Sequence, residues 1–414
     1  MQADPPVTPS SIAPLGQREF VVLVACMMAM TALGIDSMLP ALPAIGDDFA
    51  LANPNDQQWV IAFFMFGFAG GQLLWGPLSD RFGRRPILIL TLTLGAIFNA
   101  IAAFSASYEL LLAARFASGI AVASSRVVTV ALVRDCYSGR AMARVMSLAF
   151  IVFMAAPVLA PTVGTLVMLV APWRWIFWLL AAAAAATLAW VALRLPETLR
   201  AMDRLPLSPT RLARGARFAL TERISIGYTI AMACVSAGLF GFINSISQVL
   251  DVVFGAADRL AIVFASVAAL MACANLLNSR IVMRFGTRLI SHVALLGFIF
   301  FAIVHLGFAL SGAETLWSFV IVQALMMGCF GLSTANFGAM AMDNMGHIAG
   351  TASSVQGFIG TAGGALGGIL IGQAFDGTTI PLYTGFLLGG LAALAAVLVT
   401  EGGRLFRAHH APPA

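Results

Sequence analysis

The sequence predicts an all-α polytopic membrane protein, with twelve transmembrane helices in two pseudo-symmetric six-helix halves. Three observations carry that expectation. Sixty per cent of the 414 residues are hydrophobic and only 10% are charged. The resulting mean hydropathy of +0.94 is far above what a soluble domain tolerates. Apolar stretches of about 20 residues, long enough to cross a bilayer, recur between charged or Gly/Pro-containing breaks. Finally, Arg81-Phe82-Gly83-Arg84-Arg85 returns as Arg284-Phe285-Gly286-Thr287-Arg288, an offset of 203 residues, close to half the length. Duplication of this kind favours two parallel six-span halves around a central cavity.

Residues 1–19, with Pro5, Pro6, Pro9 and Pro14, read as a disordered tail. The first half, 20–194, holds spans at 20–42, 58–79, 86–106, 109–132, 145–170 and 174–194. A linker at 195–223, with three prolines and six arginines, is too polar to enter the bilayer. The second half, 224–400, holds spans at 224–250, 259–279, 289–311, 314–340, 348–373 and 381–400, and 401–414 form a second tail. One arginine before a long apolar run makes a poor signal peptide, so span one reads as a retained helix. Cys26, Cys234, Cys273 and Cys329 fall in spans and Cys136 in a loop, a pattern of packing residues rather than disulfides.

Orientation follows from arginine alone, because the chain has no lysine. With a cytoplasmic N-terminus the inner segments carry 19 of the 23 arginines, among them Arg81, Arg84, Arg85, Arg134, Arg140, Arg144, Arg280, Arg284 and Arg288. Only Arg174 and Arg259 lie outside, with Asp47, Asp48, Asp56, Glu109, Asp251, Asp258, Glu314 and Asp376. The positive-inside rule then places both termini in the cytoplasm. The net charge of +5 is accounted for by the inner leaflet and calls for no nucleic-acid partner.

Within the spans, Asp36 is the outstanding residue, a carboxylate in an otherwise apolar run. Such a group is expensive in lipid and is a functional hypothesis by default. It lies some sixteen residues into span one, about 24 Å at 1.5 Å per residue. Arg115, about six residues from the outer end of span four, sits at a similar depth. Burial and a nearby guanidinium act on a carboxylate in opposite senses, so opening to either side changes its protonation. Asp36 is therefore the expected proton carrier, against the alternative of a fixed Asp36–Arg115 structural pair. Arg126 follows Arg115 by three turns on nearly the same face. It either faces the cavity, favouring an anionic or zwitterionic substrate, or snorkels to the inner interface or pairs locally.

Gly76-Pro77-Leu78-Ser79-Asp80-Arg81-Phe82-Gly83-Arg84-Arg85-Pro86 resembles the signature between spans two and three of the major facilitator superfamily. Further segments narrow the resemblance: Asp36-Ser37-Met38-Leu39-Pro40-Ala41-Leu42-Pro43, Ala131-Leu132-Val133-Arg134-Asp135, Ala156-Pro157-Val158-Leu159-Ala160-Pro161-Thr162-Val163-Gly164, Trp173-Arg174-Trp175-Ile176-Phe177 and Ala349-Gly350-Thr351-Ala352-Ser353-Ser354. Together they look like the bicyclomycin/chloramphenicol-resistance subfamily of drug:proton antiporters. The resemblance implies a monomeric exporter in the bacterial inner membrane, driven by the proton gradient without a cofactor. Its substrates would be small, often amphipathic, drug-like molecules. Met28, Ala29 and Ala32 stand where some broad-spectrum relatives carry a second acidic residue, which speaks against divalent-cation export.

The same resemblance assigns Arg115-Phe116-Ala117-Ser118-Gly119 to proton coupling and Pro157, Pro161 and Gly164 to the antiporter motif of span five. It makes Gly76, Asp80, Arg81, Gly83, Arg84, Arg85 and Asp135 a cytoplasmic gate. Asp80 is expected against the N-terminus of span eleven, near Gly350, with Arg84 and Asp135 extending a charge chain. The stripes Gly67/Gly71 and Gly360/Gly364/Gly368/Gly372, on spans treated as equivalent in the repeat, predict that spans two and eleven pack across the interface between halves, with packing inside each half as the alternative. Asn244, Gln248, Asn275, Gln323, Asn336 and Gln356 must face partners or the cavity, since an unsatisfied amide in lipid is costly. Of these Asn244, Gln248, Gln323, Asn336 and Gln356, with Asp36 and Arg126, are the candidate substrate path. His305 reads as a lone structural histidine or a minor proton-path residue. There is no phosphate-binding loop and no metal or catalytic signature, so an enzyme is not expected. Two further readings stay open, a proton symporter for a polar nutrient and a transport-inactive sensor on the same fold.

Overall fold

The computed structural model describes residues 15–137, 139–204 and 206–406, without the side chains of a set of positions between 139 and 158 and of residue 347. The helices are α1 (Gln17–Asp36), α2 (Leu42–Asp48), α3 (Trp59–Phe82), α4 (Arg84–Ala103), α5 (Tyr108–Cys136), α6 (Gly139–Val170), α7 (Arg174–Arg194), α8 (Pro209–Thr221), α9 (Arg223–Gln248), α10 (Leu260–Phe285), α11 (Thr287–Ser311), α12 (Leu316–Met342), α13 (Ala349–Gln373) and α14 (Ile380–Thr400). Among the described residues, eleven helical segments are long and apolar enough to cross a membrane, and α1 with α2 counts as one, Gln17–Asp48. The remaining span is α6, 32 residues long, of which Leu159–Val170 forms a shorter apolar helix among the described residues.

Helix ends follow local chemistry. The Ser107 hydroxyl accepts from the Leu110 amide to start α5, and Thr315 and Ser318 form a reciprocal capping box at α12. The duplicated turns share one device: Gly83 between α3 and α4 has φ 105°, and Gly286 between α10 and α11 has φ 79°. Side chains with a Cβ rarely adopt that backbone, so the repeated glycine ends each helix and turns the chain.

Spans α1 and α3–α7 pack among themselves, as do α9–α14, and the two groups meet chiefly where α3 lies along α13 and α6 along α10. In the duplication α3 corresponds to α10, so the counterpart of the α3–α13 contact is α10–α6; spans two and eleven are not themselves equivalent. They do pack across the interface, but their glycine stripes mostly face inward, within each half. A Cβ on Gly67 would overlap the carbonyl of Phe116, and one on Gly71 would lie 2.6 Å from the Ile120 carbonyl, both on α5. Gly360, Gly364 and Gly368 meet Met232, Ser236 and Phe240 of α9; only Gly372 of that stripe meets α3's side, at Gln58. A stripe shows which residues share a face, not which neighbour covers it.

The arginine-rich turns gather at one face of the bundle, tied by Arg194–Glu19 (3.0 Å), Arg288–Glu401 (2.9 Å) and the Arg223 guanidinium donating to Val399 O (2.7 Å). Helix α8 lies at that face, where Gly215 meets Thr351 and Ala219 packs with Met345 and Ala352. The acidic loops gather at the opposite face.

Candidate functional site

Span one is not the continuous helix expected over 20–42. It stops at Asp36, turns through Ser37 and Met38, passes a short 3-10 segment, Leu39–Ala41, and resumes as α2. Pro40 and Pro43 lack the amide protons that a continuing helix needs. Ser37 closes the last turn, its amide and its hydroxyl both donating to Leu33 O, at 3.3 and 2.6 Å. Asp36 therefore ends a helix inside the bundle. It is 5% exposed, and among the described residues its carboxylate has no hydrogen-bond or ion-pair partner.

Arg115, fully buried, bonds the backbone two residues before Asp36 but does not pair with its carboxylate. Its Nε donates to Val60 O at 3.0 Å and its Nη2 to Gly34 O at 2.8 Å. The guanidinium sits 4.3 Å from the centre of the Phe64 ring and 5.8 Å from that of Phe177. Carbonyls and aromatic faces thus satisfy much of the cation, and the fixed Asp36–Arg115 pair is not formed. The two groups share one level of the bundle, as the depth count expected.

Gly164 seats this break. A Cβ there would overlap Ser37 O and lie 2.8 Å from Pro40 Cγ, so α6 can pass the turn after Asp36 only with glycine at this point. Pro161 is buried beside it, its carbonyl accepting from the Thr165 hydroxyl at 3.0 Å. The side chain of Pro157 lies outside the described residues.

At the acidic face a polar clasp joins the halves. Gln58 Nε2 donates to Gln248 Oε1 (2.6 Å) and to Gly372 O (3.0 Å), while Gln248 Nε2 donates to Asn55 Oδ1 (2.9 Å) and Pro54 O (3.3 Å). Asn55 Nδ2 donates to Gln373 O (3.1 Å) and Phe375 O (2.9 Å), Gln373 Nε2 returns to Asn55 O (2.7 Å), and Ser247 Oγ donates to Leu39 O (2.7 Å). At mid-depth Gln72 Nε2 reaches Thr361 Oγ1 (3.0 Å) and Gly357 O (3.4 Å). None of these bonds lies at the arginine-rich face.

There the motif forms a compact ion network inside one half. Arg84, 2% exposed, bonds Asp80 at 2.6 Å, Asp135 at 2.8 Å and the Ser79 hydroxyl at 2.8 Å. Glu197, which the sequence reading did not single out, caps α4 by accepting from the Arg84 and Arg85 amides at 3.0 and 3.3 Å. It also lies against Gly83, leaving no room for a Cβ. Arg85 ties α4 to α7 through Ala192 O (2.7 Å), and Arg81 is exposed. Asp80 is held by Arg84 rather than by α13; Gly76, one turn earlier, is the motif residue that faces α13, at Ser354.

The remaining candidates separate by partner. Asn336 donates to Asn278 Oδ1 and Leu332 O, and Gln356 to Ser225 Oγ and Ala341 O, so both tie helices within their half. Gln248 belongs to the clasp. Asn244 Oδ1 and both amide atoms of Gln323 are buried without a hydrogen-bond partner among the described residues. Arg126 is exposed on α5, with no ion pair among the described residues. The clasp residues Asn55, Gln58, Gln72 and Gln373 were missed; the available signal was Gln72, an amide inside an apolar span.

This arrangement of two six-span groups, a broken first span and a loop ion network has relatives. Residues 24–368 match the Major Facilitator Superfamily. The chain belongs to that superfamily, and is a multi-span membrane transporter of small molecules rather than an enzyme. It is 29% identical to a bicyclomycin resistance protein homolog of Haemophilus influenzae, over 91% of this chain and 94% of that protein. It is 30% identical to the multidrug resistance protein MdtL of Escherichia fergusonii, over 57% of this chain and 59% of that one. Among solved structures, a D-xylose-proton symporter superposes with a TM-score of 0.68 at 14% identity, covering 94% and 98% of the two chains. At that identity the likeness concerns the fold.

Proposed function

We propose that this transporter is an inner-membrane exporter, working as a monomer with both termini in the cytoplasm, that expels drug-like amphipathic molecules in exchange for protons by alternating access. The observation that carries this reading is Asp36, a buried carboxylate without a partner among the described residues, placed where span one breaks. A carboxylate that no cation neutralises is free to take up and give back a proton as solvent access changes. The relatives named for bicyclomycin and multidrug resistance support a drug-like substrate.

In this cycle the clasp closes the outer face while the arginine-rich, cytoplasmic face is open to substrate. Substrate enters between the halves past Arg126. Substrate and proton compete for the region of Asp36; substrate arrival releases the proton inward. The halves then rock about the α3–α13 and α6–α10 contacts, the clasp opens, and an outer proton displaces the substrate. Arg115 holds α1 to α3 and α5 through its two carbonyl contacts and keeps the break aligned. The Asp80–Arg84–Asp135 network keeps the cytoplasmic end of its half rigid as the halves separate.

Proteoliposomes with an imposed pH gradient test this directly, screened with chloramphenicol-like, fluoroquinolone-like and cationic dye compounds. Movement of a compound against its own gradient, opposite to proton flow and abolished by a protonophore, is the expected result. Movement with the proton would instead identify a symporter, and no movement of any compound would favour the sensor reading.

A further inference from the structure

His305 is not the lone histidine that the sequence suggested. Twelve buried side-chain nitrogen and oxygen atoms among the described residues lack a hydrogen-bond partner, and six of them belong to His305, Glu314, Gln323 and Tyr383. Three helices bring these residues together at the acidic face of the carboxyl-terminal half. The fully buried imidazole of α11 stacks on the Tyr383 ring of α14, with centroids 3.8 Å apart and planes 9° apart. Phe319 of α12 meets both rings edge-on, and Gln323 follows Phe319 by one turn on the same helix. Glu314, in the turn before α12, brings Oε1 to 3.9 Å from His305 Nδ1, while its Oε2 accepts from the Thr379 hydroxyl at 2.5 Å.

Orphaned polar atoms are costly to bury, about 1–3 kcal/mol each, so a cluster of them gains from anything that lets two of them bond to each other. The charge balance says what. Glu314 has a side chain only 10% exposed; it is the charged group facing His305, and Tyr383 is the other titratable one. Helix α12 contributes Phe319 and Gln323, which carry no charge. With a neutral imidazole the site carries one uncompensated negative charge, and one added proton makes it neutral overall. The Tyr383 ring face also favours an imidazolium, and a shift of about 1 Å would close the gap to a charge-assisted hydrogen bond.

We propose that His305 and Glu314 form a proton-binding site, which takes up one proton from the acidic face and holds it between the imidazole Nδ1 and the carboxylate. The site lies in the half opposite Asp36 and gives the protein a second, independent response to pH on the acidic face. Its occupancy is an equilibrium property that needs no transported compound.

The test is ¹⁵N-histidine NMR of the full chain in nanodiscs, titrated between pH 4 and 9, with the His305 signal assigned among the five histidines by its loss in His305→Gln. Glu314→Gln keeps an acceptor for Thr379 while removing the charge. The expected result is a wild-type His305 that becomes imidazolium with a midpoint at least one pH unit above that of Glu314→Gln, a tenfold difference in proton affinity. Equal midpoints, or a wild-type His305 that stays neutral throughout, would overturn the proposal. Should Glu314→Gln fail to fold, Glu314→Asp, which withdraws the charge by one methylene, is expected to lower the midpoint in the same sense, and an unchanged midpoint there would be equally fatal.

Discussion

Replacing Gln248 with alanine should open the acidic face. The amide makes three of the hydrogen bonds that join the halves, to Gln58 at 2.6 Å, Asn55 at 2.9 Å and Pro54 at 3.3 Å. Each neutral bond contributes about 0.5–1.5 kcal/mol net, so their loss removes about 1.5–4.5 kcal/mol from the closed state. That is roughly a 10- to 1600-fold change in the ratio of closed to open populations. Asn55 Oδ1 and Pro54 O would also be left unpaired in the closed clasp but hydrated in the open one, which pushes the same way. The Gln58 bond to Gly372 O at 3.0 Å also joins the halves and remains in the variant, so a closed population persists beside the opened one. Spin labels at the exposed positions Ala52 and Ala374, one on each side of the clasp, report the opening by double electron–electron resonance in a cysteine-free background. A new, longer distance population in Gln248→Ala is expected. An unchanged distribution would refute the assignment of these bonds as the outer closure.

Three further outcomes follow. Gly164→Val should overpack the turn after Asp36 at a cost of about 1–3 kcal/mol, cutting coupled flux at least tenfold with expression retained; wild-type flux would contradict the close approach to Ser37 O and Pro40. Asp135→Asn removes one charged partner of the nearly buried Arg84 and should cost about 1–3 kcal/mol, seen as a lower thermal midpoint of the purified protein, whereas neutralising the exposed Arg81 should leave that midpoint in place. Arg126→Gln should weaken binding of anionic or zwitterionic compounds more than that of cationic dyes, measured by tryptophan-fluorescence titration; an equal effect on both would take Arg126 off the substrate path.

How much of this was legible in the sequence depends on what encodes each feature. Ionisable groups in apolar runs are conspicuous, so Asp36 and Arg115 stood out, as did the repeated loop whose glycines both adopt positive φ. The charge chain of Arg84 with Asp80 and Asp135 followed from the motif and is present. Backbone partners are another matter. Arg115 is held by the carbonyls of Gly34 and Val60, which no residue type announces, and a carboxylate nearby in depth looked like the natural partner. The break after Asp36 was hidden because Pro40 and Pro43 sit among apolar residues that kept the hydropathy of a continuous span. The clasp was hidden for the opposite reason: Asn55 and Gln58 belong to a polar run that reads as loop, yet Gln58 is fully buried. The partner of His305 lay in the next loop, nine residues on.

In the proposed cycle the exchanged proton is carried by the Asp36 carboxylate. The most direct test is proton release on substrate binding to purified protein in weakly buffered detergent solution, wild type beside Asp36→Asn, with a compound found in the liposome screen. The wild type is expected to release protons and the variant none, with both proteins folded and both still binding the compound. Equal release from the two would place the exchanged proton on another group and contradict the account.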